Sequence, residues 1–268
     1  MGDEFTFAVI SDIHANYEAL SKTLNILQKR HVDKIICLGD VIGYGANPNE
    51  CIDLLKNRIE VVLIGNHEEM LKNGFNSGGK LSEISNTWTR TVINDEAQEY
   101  IERMGYTSYK WNGIGFYHSI KNGEGKWIYP NDIETIDALF GNRERICFFG
   151  HTHRPRIILK SNEDDYIKDI RIKKTTSVTV DTENCKAYIN PGSIGQQRDN
   201  KTDLSFAICN IRANQMRIKI ERHHYNSFKT YKKIKRDGCG TEVASYFVRE
   251  KWRRIIYEIF DRMIEKNQ

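Results

Sequence analysis

The sequence lacks the features that would place it at once among membrane, secreted or nucleic-acid-binding proteins. Nowhere do about 18 apolar residues run together, so a membrane-spanning helix is not expected. The first residues, MGDEFTF, are acidic and contain no long apolar stretch, so a signal peptide is not expected either. The net charge of +4 is too small to argue by itself for nucleic-acid binding.

The six cysteines form no CxxC pair and show no regular spacing. Several of them lie in apolar runs such as IICLG and ICFFG, which predicts buried free thiols in a reducing cytoplasm. Apolar residues make up 39% of the 268 residues and charged residues 28%, which is typical of a globular protein with a sizeable core. We therefore expect a cytoplasmic protein with one large domain, or one domain with an appendage.

The first half of the chain alternates short apolar runs with amphipathic segments. This order predicts parallel strands with helices on their faces, and Asn112-Gly113 predicts a type I′ hairpin between two further strands. Beyond residue 154 the pattern changes to strands of period two, which indicates antiparallel pairing. The predicted strands are FTFAVI, KIICL, EVVLI, TSYKW, IGFYH, RICFF, RIILK, the run 167–180, KAYIN, LSFAICN and QMRIKIE. The predicted helices cover 17–29, 47–56, 81–94, 95–104, 131–140 and 241–266.

Polar, metal-competent side chains follow five of the predicted strands. Since ligands of α/β proteins bind at the carboxyl ends of strands, these groups are expected at one edge of the sheet. Alternate residues of an extended chain share a face, so the two ends of Asp-x-His or His-Thr-His can bind one ion. One such motif alone is weak evidence for a metal site, but five motifs in order, each after a strand, predict one. The groups are Asp12 and His14 in SDIH, Asp40 in GD, Asn66, His67 and Glu68 in GNHE, His118, and His151 and His153 in GHTH.

The ligand types themselves narrow the choice of metal. Carboxylate, imidazole and one amide oxygen, without thiolate, suit Mn, Fe or Zn and do not suit a structural zinc site. Two ions would need a shared ligand, and a carboxylate can bridge because it has two oxygens. Asp40 is the natural candidate for that bridge.

This motif series resembles the calcineurin-like metallophosphoesterase superfamily, and in particular its small phosphodiesterase branch, over about residues 5–222. NPGSIGQ at 190–196 and GYGANPNE at 43–50 look like this branch as well. The resemblance implies an α/β fold, a four-layer αββα sandwich of two mixed β-sheets flanked by helices. It also implies two divalent ions, with Mn²⁺ favoured and Fe, Zn or Ni as alternatives. One ion would be bound by Asp12, His14, Asp40 and His153, and the other by Asp40, Asn66, His118 and His151.

The function implied is hydrolysis of phosphodiester or phosphomonoester bonds in small or nucleotide-like substrates through a metal-bridging hydroxide. His67 would protonate the leaving oxygen. Asn66, His67 and Arg198 are the candidate substrate-binding residues, and Arg198 would contact a phosphate. Glu68 would either orient His67 or begin a helix, where a carboxylate is favourable, and the sequence does not separate these roles.

One departure bears on the alternatives. Relatives that are Ser/Thr protein phosphatases carry Asp-Arg-Gly after GD, and its Asp orients the catalytic His; here Gly43, Tyr44 and Gly45 stand there. A protein phosphatase is therefore disfavoured. A non-catalytic scaffold is disfavoured because the ligands and His67 are all present. A nuclease stays open, since it needs a broad basic groove that the sequence alone does not reveal.

The segment 226–268 is predicted to lie outside the metallophosphoesterase domain of 1–225. It combines a basic run at 229–236, which usually is a solvated face, with an amphipathic helix that packs on the domain or forms a dimer interface. We expect a small phosphate-ester substrate, no membrane partner, and a monomer or homodimer; a nucleic-acid partner is disfavoured but stays open. Substrate choice is expected to depend on 74–111 and 161–184.

Overall fold

A computed structural model describes residues 4–74, 79–161, 167–237 and 239–248. Within these ranges the strands are β1 (Phe5–Ile10), β2 (Lys34–Cys37), β3 (Val61–Val62), β4 (Ser108–Trp111), β5 (Ile114–Tyr117), β6 (Ile146–Phe149), β7 (Arg156–Ser161), β8 (Ile167–Arg171), β9 (Thr176–Asp181), β10 (Cys185–Asn190), β11 (Leu204–Arg212) and β12 (Gln215–His223). The helices are α1 (Tyr17–Lys29), α2 (Pro48–Lys56), α3 (Asn66–Asn73), α4 (Lys80–Val92), α5 (Asp95–Arg103), α6 (Ile133–Phe140), α7 (Ser227–Arg236) and α8 (Thr241–Ser245).

The strands form two six-stranded sheets, and both sheets are mixed. The first sheet has the order β3-β2-β1-β11-β12-β9, in which β1, β2 and β3 are parallel and the other pairs antiparallel. The second has the order β4-β5-β6-β10-β7-β8, in which β5, β6 and β10 are parallel. The predicted α/β class with two mixed sheets flanked by helices is confirmed.

The central strands of each sheet, such as β1 and β6, are buried on both faces, which explains why β1 reads as a continuous apolar run. Phe7 and Val9 point into the core between the two sheets, whereas Ala8 and Ile10 point to the core beneath the helices. This division follows from the alternation of side chains along a strand. The apolar stripe of α1 completes the outer core, and α6 covers the far side of the second sheet around Phe140.

The turn signals of the sequence have the expected structural roles. Asn112 and Gly113 connect β4 and β5 with φ of 48° and 73°, as a type I′ turn requires. Asn47 precedes Pro48 at the start of α2, where the missing N–H of proline costs no hydrogen bond. Five of the six cysteines are buried and Cys185 is half-buried, and all six are free thiols.

Four predictions about single elements were wrong or incomplete. The third strand is only two residues long, because the rest of EVVLI forms the loop before α3. The run 167–180 is two strands, and β8 belongs to the second sheet while β9 belongs to the first. The basic run 229–236 lies on helix α7. The predicted helix 241–266 is described only to residue 248, and there α8 ends at Ser245; residues 249–268 lie outside the described part.

Among the described residues, no helix combines the length and the apolar character that a membrane crossing requires.

Candidate metal centre

The seven predicted ligands meet at one edge of the molecule, where the parallel strands of both sheets end. Five loops supply them, which follow β1, β2, β3, β5 and β6. Six of the seven side chains are buried and His151 is half-buried. The ligand residues are Asp12, His14, Asp40, Asn66, His118, His151 and His153.

A first group of four ligands contains Asp12, His14, Asp40 and His153. One ligand atom from each lies within 4.8 Å of the others. His153 Nε2 is 3.3 Å from Asp12 Oδ1 and 3.0 Å from His14 Nε2. Converging nitrogens and carboxylate oxygens repel one another unless a cation lies between them, so the group fits a divalent ion.

A second group of ligands contains Asp40, His118 and His151. His118 Nε2 lies 3.2 Å from His151 Nδ1 and 3.1 Å from Asn66 Oδ1, so the amide of Asn66 joins the same group. This is the second ligand set that the motif series implied. Its donor atoms suit Mn, Fe, Zn or Ni without discriminating among them.

Asp40 belongs to both groups, and its two oxygens have different partners. Oδ1 accepts a hydrogen bond from the backbone N–H of His67 at 2.9 Å. Oδ2 lies 3.8 Å from His14 Nε2 and 3.4 Å from His118 Nε2, so it faces both groups. A side chain at residue 65 would displace this carboxylate, since a Cβ on Gly65 would lie 2.2 Å from Asp40 Oδ1.

The histidine rings are oriented by hydrogen bonds on their far side. Nδ1 of His14 contacts the carbonyl of Ile42 at 3.2 Å, and Nδ1 of His118 contacts the carbonyl of Leu38 at 3.1 Å. Nδ1 of His153 contacts the carbonyl of Gln196 in the same way. A carbonyl only accepts, so Nδ1 carries the proton and the Nε2 lone pair points at the ligand group.

Burial lowers the pKa of every histidine at this edge. The pKa of His118 falls to about 4 and that of His67 to about 3, and those of His14, His151 and His153 also lie below the usual value. Burial and the nearby charges of Glu68 and Asp12 raise the pKa of Asp40. The imidazoles are therefore neutral at pH 7, which is the form that binds metal ions.

The backbone at five ligands has a left-handed conformation that side chains disfavour. The φ angles are 53° at Asp12, 49° at His14, 53° at Asp40, 66° at His151 and 57° at His153. Such a conformation costs about 1–2 kcal/mol per residue. Strain of this kind concentrates at functional sites, where surrounding contacts hold it in place.

Glu68 supplies many of those surrounding contacts. Its buried carboxylate accepts hydrogen bonds from the backbone N–H groups of Asp40, Val41, Ile42 and Gly65 at 2.7–3.1 Å. It therefore caps α3 and fixes the loop after β2 together, and it makes no hydrogen bond to the His67 ring within the described residues. Of the two roles left open by the sequence, helix capping is the observed one.

The NPGS stretch ties the loops after β1 and β6 together. Ser193 Oγ donates to the carbonyl of Asp12 at 2.7 Å, and Asn190 Nδ2 donates to the carbonyl of Gly150 at 3.0 Å. Gly192 has φ of 81°, so glycine is required for the turn itself. Asn16, two residues after His14, donates to the carbonyl of Gly195 at 2.8 Å and ties the loop after β1 to this stretch.

Two further side chains line the site beside the ligands. His67 Nδ1 is 3.1 Å from Oδ1 of Asn86, which lies on α4. Arg198 donates to Tyr129 Oη at 2.8 Å and to Gln196 Oε1 at 3.1–3.3 Å. Asn86 and Tyr129 were not predicted, because neither follows a strand or belongs to a motif; only their tertiary contacts reveal them.

Comparison with known proteins identifies relatives over most of the chain. A family model described as the calcineurin-like phosphoesterase superfamily domain matches residues 5–214. An uncharacterized protein of Methanocaldococcus jannaschii is 34% identical over 232 residues, which cover 85% of this chain and 90% of that protein. A metallophosphoesterase from Sphaerobacter thermophilus has a similar fold, with a TM-score of 0.76 at 24% identity, covering 91% of this chain and 98% of that one.

Proposed function

The chain belongs to the calcineurin-like phosphoesterase superfamily, and from this premise we propose that it is a two-metal phosphoesterase. Its substrate is a small or nucleotide-like phosphate ester. The observation that carries this proposal is the pair of ligand groups that share Asp40. When bound, two divalent ions, for which we favour Mn²⁺, polarise the phosphoryl group and activate a water molecule.

Arg198 is the proposed phosphate-binding residue. Its guanidinium interacts with neutral oxygens of Tyr129 and Gln196, and its positive charge lowers the pKa of His14, His67, His151 and His153 after the larger effect of burial. The two neutral acceptors hold the guanidinium without cancelling its charge. That charge therefore remains available for a phosphoryl oxygen at the ligand groups.

His67 is the proposed proton donor to the leaving oxygen. Its ring packs against His14 and Tyr44, with centroid distances of 4.9 and 4.7 Å, and it follows the ligand Asn66. Burial lowers its pKa to about 3. The negative charge of a bound phosphate raises that pKa again, so the imidazole becomes protonated when the substrate arrives.

The test is hydrolysis of bis-p-nitrophenyl phosphate and p-nitrophenyl phosphate by metal-stripped protein that has been reloaded with Mn²⁺. We expect turnover with two ions per chain by elemental analysis. The ratio of diester to monoester cleavage then narrows the substrate class. Protein that binds two ions and cleaves neither ester nor a panel of nucleotides would support a scaffold without catalysis, and protein that binds no metal would overturn the proposal.

A further inference from the structure

The proton donor proposed above has a hydrogen-bond partner that no motif supplies. His67 Nδ1 lies 3.1 Å from Asn86 Oδ1, and Asn86 is buried on α4, 19 residues further along the chain. The contacts of the amide nitrogen, Asn86 Nδ2, show which end of the amide is the oxygen and which is the nitrogen. Asn86 Nδ2 is 3.3 Å from Ser82 Oγ and 3.4 Å from Met70 Sδ, both of which can accept a hydrogen bond.

This orientation assigns the proton on the imidazole. An amide oxygen only accepts, so His67 must donate from Nδ1, and Nε2 is the nitrogen left to reach a substrate. The aromatic neighbours restrict the ring plane further, because His14 and Tyr44 both pack within 5 Å of the ring centroid. Asn86 thus determines which ring nitrogen faces the reacting ester.

The loop after β2 has no room for an alternative partner at this position. A Cβ on Gly43 would lie 2.0 Å from His67 Nδ1, and the φ of Gly43 is 82°. Any side chain there would collide with the imidazole and strain the backbone. The space that a carboxylate from this loop would need is therefore occupied by the ring itself, and the partner comes from α4.

Helix α4 is held in place by the C-terminal segment. Trp88 Nε1 donates to the carbonyl of Asp237 at 2.8 Å. Leu81, Ile84 and Trp88 pack with Val243 and Phe247 in one apolar cluster, which also contains Tyr44. The position of Asn86 therefore depends on segment 227–248 as well as on the domain that carries the ligands.

We infer that Asn86 is the positioning residue of His67, holding the ring for proton donation through a neutral amide, and that α4 is part of the active site. This inference rests on the proposed function. It predicts that Asn86 acts only through His67 and only where the leaving group needs a proton. A merely structural asparagine would affect all substrates alike.

The test compares Mn²⁺-loaded Asn86→Leu with Mn²⁺-loaded wild type on two substrates, a p-nitrophenyl phosphate ester and the corresponding phenyl ester. Phenolate is the more basic leaving group and needs the proton more. The kcat of Asn86→Leu on the phenyl ester should therefore fall about 10- to 100-fold, the usual effect of losing a partner that orients a histidine. The kcat on the p-nitrophenyl ester should fall less. KM and the content of two bound ions should stay unchanged. Ser85→Ala is the matched control, since its hydroxyl donates to the carbonyl of Ser82 on the same helix.

Three outcomes are decisive. In a His67→Ala background, Asn86→Leu should cause no further loss, because coupled residues are non-additive. An equal loss in that background, or an equal loss on both esters, would overturn the inference. Wild-type protein that binds two ions but cleaves neither these esters nor a panel of nucleotides would instead refute the proposed function itself.

A second measurement avoids substitutions that prevent folding. Ring ¹⁵N–¹H correlations of His67 in the metal-free wild-type protein should report a proton on Nδ1. The opposite tautomer, with the proton on Nε2, would overturn the inference. Asn86→Asp keeps an oxygen for the Nδ1 proton, so it should retain more phenyl-ester activity than Asn86→Leu; equal losses would count against the positioning role.

Discussion

The two ligand groups differ in how firmly the protein holds them. In the first group Asp12, His14, Asp40 and His153 are all buried, and both histidine rings are fixed by backbone carbonyls. In the second group His151 is half-buried and offers Nδ1, while its ring packs against Tyr129 at a centroid distance of 4.9 Å. This difference teaches that the first group is enclosed in the core, whereas the second is partly accessible to solvent at His151.

The largest effect is expected where the two groups join. Asp40→Asn keeps the size of the side chain but removes the charge that both groups share. We expect loss of the second ion, weaker binding of the first, and a fall in kcat/KM of about a thousandfold, because metal ions contribute several kcal/mol to the transition state. Elemental analysis and ester hydrolysis measure both effects. Two tightly bound ions in Asp40→Asn would refute the shared-ligand assignment.

His67 belongs to neither group, so its loss separates proton donation from metal binding. His67→Ala should lower kcat for the phenyl ester by about 10²- to 10⁴-fold, the usual contribution of a general acid, and should leave two ions bound. Activity and metal content are measured on the same preparation. Unchanged turnover would remove His67 from the mechanism, whereas loss of an ion would make it a ligand.

Removing one histidine from each group tests whether the two groups differ in affinity for their ions. His151→Ala should leave one ion per chain, whereas His14→Ala should destabilise the buried ion on which the rest of the site is built. During titration of the wild type with a chelator, we expect two steps, and the ion of the second group, which contains His151, should be removed first. A single step that removes both ions together would show that the two groups do not differ in affinity.

Arg198 tests whether a positive charge beside the two ligand groups matters for substrate binding. Arg198→Met removes a charge-assisted hydrogen bond, which contributes about 1.5–3 kcal/mol, so kcat/KM should fall about 10- to 100-fold with metal content unchanged. Arg143→Met, at an exposed residue after α6, is the control. Equal kinetics in Arg198→Met and wild type would exclude a contact with phosphate.

The last prediction concerns acid stability instead of activity, and it depends on the buried rings. Burial lowers the pKa of His118 from 6.5 to about 4, so below pH 6.5 the unfolded chain binds the proton more readily than the folded chain. Stability of the metal-free protein should therefore fall by about 3 kcal/mol between pH 7 and pH 4 from this residue alone. Urea unfolding of His118→Gln should show a correspondingly shallower dependence on pH, with His31→Gln, at an exposed residue, as the control. Parallel curves for His118→Gln and wild type would contradict the expectation.

The motif series made much of the site predictable, because each ligand directly follows a strand. Parallel strands of one sheet end at one edge, so chain order brings Asp12 and Asp40 near each other, whereas His118 joins them through the packing of the second sheet on the first. The family and the fold class that the motifs implied are confirmed. The metal identity and the substrate stay predictions, since ligand types shared by several ions do not select one.

What the sequence could not reveal depends on tertiary packing. Asn86 lies in the middle of an amphipathic helix, where an asparagine is ordinarily a polar residue without a function, and only the fold brings it to His67. The period-two pattern of the run 167–180 predicts one element, yet the chain crosses from one sheet to the other between β8 and β9. Periodicity specifies the faces of a strand and not its neighbours.

The pairing of β1 with β11 has a consequence for biosynthesis. Phe5 pairs with Ile211, so β1 is synthesised about 200 residues before the strand that pairs with it. During translation, one edge of this central strand therefore has no partner until β11 has been made. Contacts so distant along the chain form slowly. The ligand loop after β1 therefore reaches its final position late in folding.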